Sequence, residues 1–304
     1  MSIFLGLAIA LASLLGGFAA MGGHVAVLLQ PWEFVIVFGV AAGIFVIANP
    51  LKVVVDTGRA ILEVITNAVP KKREYLDILG LLYTLMRELR SKGRNEVEPH
   101  IEAPQESAIF NQYKSVSDDP ALRDFICDYF RILIVSNARP HEIESLMDEE
   151  LMTRMRDQMK PYHALLAEGD SLPAIGIVAA VLGIVKAMGA IDQSPAILGG
   201  LIAAALVGTF AGIFCAYAVF NPLAAKVRSV REKRSRHYVV VKQSLLAFMN
   251  GAAPQIALEH GRKTISENDR PTIDEVESQT MNVGPIGASG ADETVYDLQQ
   301  KGAA

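Results

Sequence analysis

Residues 193–225, QSPAILGGLIAAALVGTFAGIFCAYAVFNPLAA, contain no charged side chain, and how this stretch is read decides the fold. A hydrocarbon core about 30 Å thick needs roughly 20 apolar residues of helix to cross it, so the run is long enough to span. Towards the N-terminus, residues 172–185 are a second apolar stretch closed by Lys186. Further back, residues 1–34 carry Glu33 as their one charged side chain. Residues 34–48 are again apolar, extended by Trp32 on one side and by Leu51, Val53 and Val54 on the other. A secretory signal peptide expects basic residues ahead of its apolar core, whereas no Lys or Arg precedes Lys52. Residues 1–21 are therefore read as a span, and the chain as an all-α membrane protein with four transmembrane helices.

Charge outside the spans sets the topology. Lys52, Arg59, Lys71, Lys72 and Arg73 follow span two, and Lys226, Arg228, Arg231, Lys233, Arg234 and Arg236 follow span four. The short connections 21–32 and 189–195 contain neither Lys nor Arg. By the positive-inside rule both termini are expected in the cytoplasm. The basic run 226–236 sits directly after a span, so it is assigned to topology and lipid headgroups and not to nucleic acid. The net charge of -5 over 304 residues gives no basic excess for a nucleic-acid partner.

Five segments are expected: a transmembrane hairpin (1–50), a cytoplasmic helical domain between spans two and three (51–170), spans three and four (171–225), a helical tail (226–266) and a disordered end (267–304). Within the second, Tyr75, Ile78, Leu79, Leu82, Leu85, Met86 and Leu89 recur at helical spacing up to the Ser91–Lys92–Gly93 break. Asp119 before Pro120 fits an N-cap with proline at the first helical position. Ile143, Leu146, Met147, Leu151 and Met155 form a further stripe, with Asp148, Glu149 and Glu150 near its wet face. After Arg236 an apolar helix is expected to run to Phe248, interrupted by Asn250–Gly251 and Pro254.

No enzyme signature is present: there is no phosphate-cradling glycine motif, no paired histidines for zinc and no nucleophile elbow. Cys127 and Cys215 are read as packing residues, and the six His as scattered solvated or capping groups. Neither cofactor nor metal is expected. The informative pattern is Gly200, Ala204, Gly208, Gly212 and Ala216, every fourth residue of span four. It is matched by Gly176, Ala180, Gly183 and Ala187 in span three. Such faces let helices approach closely; they serve packing within the chain or its copies, or line an ion path. Within spans three and four Thr209 is the one hydroxyl well inside, so an ion-conducting reading needs its acid from another subunit.

Gly169-Asp170-Ser171-Leu172-Pro173-Ala174, Val207-Gly208-Thr209-Phe210 and Asn221-Pro222-Leu223-Ala224 resemble, in this order, the MotA family of ion-driven flagellar stator subunits. Leu146-Met147-Asp148-Glu149-Glu150 and Gly261-Arg262-Lys263-Thr264 add to the resemblance, which extends to about residue 275. It implies a pentamer in a 5:2 complex with a MotB-type, peptidoglycan-binding, single-span subunit that supplies the ion-binding Asp. It further implies that Ala180 and Thr209 face the ion site, that Tyr217 borders the path, and that Pro173 and Pro222 couple protonation to movement. Arg90 and Glu98, with Glu150 as a weaker third, match the positions that meet a FliG-type rotor protein. Ala180 stands where sodium-driven members tend to carry Thr, which favours protons as the coupling ion. Lys186 departs from the family pattern. An ExbB- or TolQ-like energiser of outer-membrane processes shares the ring but typically has three spans, and a transporter permease would bind substrate alone.

Overall fold

The structure, a computed structural model, describes residues 2–136 and 138–281. Within them the chain is helical without a strand: α1 (Ser2–Ala20), α2 (Pro31–Ala48), α3 (Leu51–Ile65), α4 (Lys72–Ser91), α5 (Arg94–Glu102), α6 (Lys114–Ser117), α7 (Pro120–Val135), α8 (Pro140–Gln158), α9 (Lys160–Met188), α10 (Pro195–Cys215), α11 (Asn221–Met249), α12 (Pro254–Lys263) and α13 (Ile273–Met281). Ile3–Ala20, Val25–Ala48, Pro140–Met188 and Pro195–Met249 each contain a stretch long and apolar enough to cross a membrane. The all-α, four-span expectation is met. The described residues divide into two units, one within 2–69 and 154–232, the other within 70–153 and 233–281.

The first unit holds the apolar helices. Pro31 opens α2 at its first turn and Pro195 opens α10, each where a missing N–H costs nothing. α10 lies along α9, and α2 packs against both. The amphipathic α3, which follows Pro50, escapes a reading by apolar runs because Lys52, Asp56, Arg59 and Glu63 interrupt it. Its inner face sets Ala60 and Val64 against Leu165, Ala224, Val227 and Val230. Arg231, only 10% exposed in its side chain, reaches Asp56 at 3.0 Å and Glu63 at 2.7 Å.

The second unit has a core of large apolar side chains. α4 is buried almost all round, with Ile78, Leu79, Leu81, Leu82, Leu85 and Met86 fully covered. Asp119 caps α7 as expected, its Oδ1 accepting from the N–H of Ala121 at 3.1 Å and of Leu122 at 3.2 Å. α7 ends at Val135, before the expected Arg139–Pro140 stop, and the Ser136 hydroxyl bonds back to the Ile132 carbonyl. Phe125 meets Tyr129 and Tyr238 edge-on at 4.8 and 5.0 Å. α11 ends at Met249, Gly251 takes φ +91°, and Pro254 opens α12, as the Asn250–Gly251 and Pro254 signals require.

Two residues in this unit depart from their expected character. His237 is not a solvated group: burial pushes its imidazole down to about 4, against an upward pull from Asp119 and with a smaller downward push from Arg234. Its Nε2 stands 3.8 Å from Glu74 Oε2, beyond hydrogen-bond range, and with a neutral ring the contact is no ion pair. The start of the expected disordered end is also ordered. Thr272 and Glu275 form a reciprocal cap on α13, with the Thr272 N–H donating to Glu275 at 2.7 Å and the Glu275 N–H donating to the Thr272 hydroxyl at 3.2 Å. Val276 then joins the core. Residues 282–304 lie outside the described part of the chain.

Candidate functional site

The small-residue faces read from the sequence meet in the seam between α9 and α10. A Cβ on Gly212 would stand 2.5 Å from the Leu172 carbonyl oxygen and 3.0 Å from the Cα of Gly176. A Cβ on Gly176 would stand 2.8 Å from the Gly208 carbonyl oxygen, and one on Gly183 would stand 2.8 Å from the Cα of Ala205. These are backbone-to-backbone contacts that any side chain would prise apart. The stripe does not continue outward: around Gly199 and Gly200 nothing lies within 4 Å of an added Cβ.

Ala180 and Thr209 belong to this seam. Ala180 is 8% exposed, and a Cβ on Gly208 would lie 3.6 Å from its backbone nitrogen. The Thr209 hydroxyl donates to the Gly176 carbonyl at 3.4 Å. Because the hydroxyl is the donor in this bond, its lone pairs stay available to another group. Tyr217 is not drawn in with them; it is 66% exposed.

Pro173 and Pro222 are both inside continuous helical chain, so neither is an ordinary helix stop. Pro173 lies well within α9, where its missing donor frees the carbonyl of Gly169. Before Pro222 the chain makes a π-helical turn, Ala216–Phe220. A wide turn is the accommodation expected where the next residues include one without an N–H. The two proline segments are neighbours: a Cβ on Gly169 would overlap the Asn221 Oδ1, and that oxygen is buried without a hydrogen-bond partner. Proximity between residues so far apart in sequence is not legible from either motif alone, although a glycine four residues before a proline is a usable signal.

Arg90 and Glu98 are exposed on consecutive helices, α4 and α5. Arg90 Nη1 donates to the Ala252 carbonyl at 3.5 Å, the edge of hydrogen-bond range. Glu150 differs: it accepts from the Tyr129 hydroxyl at 2.8 Å and is half-buried. On α4, burial pushes Glu88 up, but hydrogen bonds from Lys92 and Arg87 outweigh it and leave the carboxyl below its usual value.

One acid was not assigned a role from the sequence. Glu33, in the first turn of α2, turns its carboxylate toward α9 and α10. A Cβ on Gly208 would lie 3.1 Å from Oε2, and one on Gly183 would lie 3.5 Å from Oε1. Oε2 is buried without a hydrogen-bond partner. The available signal was its isolation as the one charge in residues 1–34.

Four long apolar helices, two of them joined by a seam of glycine and alanine with a hydroxyl inside it, define a multi-pass helical membrane protein. Residues 4–93 match the family described as motility protein A N-terminal, and residues 117–239 match the MotA/TolQ/ExbB proton channel family. The chain is 42% identical to motility protein A of Salmonella typhimurium over 283 residues, covering 93% of this chain and 96% of that protein. It is equally similar to motility protein A of Escherichia coli, and 35% identical to the chemotaxis protein LafT of Vibrio parahaemolyticus over 91% of this chain and 97% of that one. The chain belongs to the MotA family of proton channel proteins. Its fold matches a chain in the structure of Campylobacter jejuni MotAB, with TM-score 0.70 at 20% identity over 88% of this chain and 96% of that chain. A chain of the flagellar MotAB stator complex of Bacillus subtilis matches with TM-score 0.60 at 21% identity, over 84% and 92%.

Proposed function

We propose that this chain is the torque-transmitting subunit of a flagellar stator. With a MotB-type single-span partner it couples inward proton flow to work on the rotor. The observation that carries the reading is the seam: α9 beyond Asp170 and all of α10 contain no carboxylate, Gly208 packs against Ala180, and the Thr209 hydroxyl reaches the Gly176 carbonyl. Beyond Glu33, which α2 brings to the seam at Gly183 and Gly208, a path of this kind is completed by a carboxylate from a partner helix. The same requirement follows from the cost of an intramembrane charge, which confines such acids to functional positions.

Ala180 supplies a methyl where a bare cation would need a ligand, so the coupling ion is the proton. One proton crossing about 150 mV releases about 3.5 kcal/mol, enough to bias a two-state movement. The joints that carry this movement are Pro173 and Pro222, whose segments abut at Gly169 and Asn221. Tyr217, exposed in the isolated chain, borders the path once copies assemble. Arg90, Glu98 and, to a lesser degree, Glu150 face a FliG-type rotor protein; charges on a wet surface orient a partner more than they hold it. The basic flanks after spans two and four support a cytoplasmic side for both termini.

The assembly is a pentamer around two partner subunits. Copurification of the full chain with its single-span partner, followed by native mass measurement, is expected to give the 5:2 mass. A stable chain that recruits no partner would overturn the stator reading.

A further inference from the structure

Glu33 has a setting that its position in the helix does not explain. An acid in the first turn is favoured by the helix dipole, and a Glu three residues after the N-cap commonly reaches back to the N-cap amide. Here the N-cap is Gln30, and Glu33 Oε2 instead lies buried without a partner. It occupies the space that Gly183 and Gly208 leave open between three helices. A buried oxygen lacking a donor is costly to keep, more so when it carries charge. The small residues around it provide room and no donor of their own. The charged group that acts on it is Lys186, one turn of α9 beyond Gly183. Ala205 and Gly208 on α10 and Ala179 on α9 contribute no titratable group.

We propose that Glu33 is a proton-handling residue of this chain's own path, on the side of the membrane opposite the basic flanks, with Lys186 as its counter-charge. This rests on the stator reading and deepens it: protons arrive at or leave the partner's acid through a carboxyl that the larger subunit supplies. The step is a simple transfer. Hydronium gives its proton to Oε2, one O–H bond forms and a water is released; the reverse passes that proton to the next acceptor. The charge of Lys186 offsets that of the ionised carboxylate at a distance, and protonating Glu33 leaves it uncompensated, so one proton changes the local charge at the seam.

The test is low-load rotation speed against external pH in cells whose only stator contains the full chain with its partner, comparing the native chain with Glu33→Gln, Glu33→Asp and Lys186→Gln. Partner copurification is scored in parallel. Expected results are normal assembly of Glu33→Gln, a severalfold loss of speed and a flattened speed–pH curve. Glu33→Asp should recover the slope, and Lys186→Gln should displace the curve along the pH axis. Normal speed with the native pH curve in assembled Glu33→Gln would overturn the proposal. Should that variant fail to accumulate, an unmoved curve in Lys186→Gln would overturn it. Failure of the native chain to drive rotation would overturn the stator reading instead.

Discussion

The two units of this protein bury opposite kinds of side chain. The unit that contains α4 and α7 hides its large residues: Phe110, Tyr113, Phe125 and Phe130 are each 2% exposed or less. Along the α9–α10 seam the other unit hides its small ones, while Ile177, Val181, Leu182 and Val185 of α9 remain about half exposed. Water explains the first arrangement, because removing apolar area from it drives burial. Lipid explains the second. Among lipid tails a large apolar side chain gains little by turning inward, so helices associate through the close approach that glycine and alanine allow. One chain thus follows two packing rules.

The contrast is open to direct attack. Gly212→Leu should have the largest effect, because the atom in its way is a backbone carbonyl that cannot swing aside. The loss should exceed the about 1–3 kcal/mol of ordinary overpacking and prevent the chain from accumulating as a monodisperse species in detergent. Native-like size-exclusion behaviour of that variant would break the account of the seam. In the other unit the opposite change matters: Phe125→Ala should cost about 3–5 kcal/mol, read as lost hydrogen-exchange protection along α7.

Buried His237 gives this unit a dependence on pH. Its value is about 4 in the folded chain against an ordinary 6.5, so between these limits the unfolded chain binds more protons. Its stabilising contribution is complete above about pH 6.5 and is lost as pH falls toward 4, amounting to at most about 3 kcal/mol. Exchange protection of α11 after Arg236, corrected for intrinsic rates, should therefore weaken through that window. His237→Gln should flatten the dependence. The smallest effect is expected for Leu182→Ala, within about 0.5 kcal/mol in thermal unfolding in detergent. A cost comparable to that of Phe125→Ala would mean that another chain covers that face.

The spans and the α7 cap were legible because each is a local signal: unbroken apolar length in one case, Asp119 before Pro120 in the other. α3 was hidden by its own charges. Asp56 and Glu63 read as wet, yet both turn to Arg231, which lies far along the chain. α13 was hidden by composition, since a short acidic segment looks disordered until Val276 finds a core to join. Among the site residues, Thr209 and Ala180 were visible as members of a periodic stripe. Glu33 carried no such pattern, because its meaning lies in what Gly183 and Gly208 leave empty.

The α9–α10 seam also has a mechanical consequence. Glycine and alanine have no side-chain rotamers to lose or exchange, so contacts made by Gly176, Gly208 and Gly212 cannot slacken by a side chain hopping between wells. A joint built from backbone alone has no play. A small displacement at one end of the pair arrives at the other undiminished, which is the property wanted in a drive shaft.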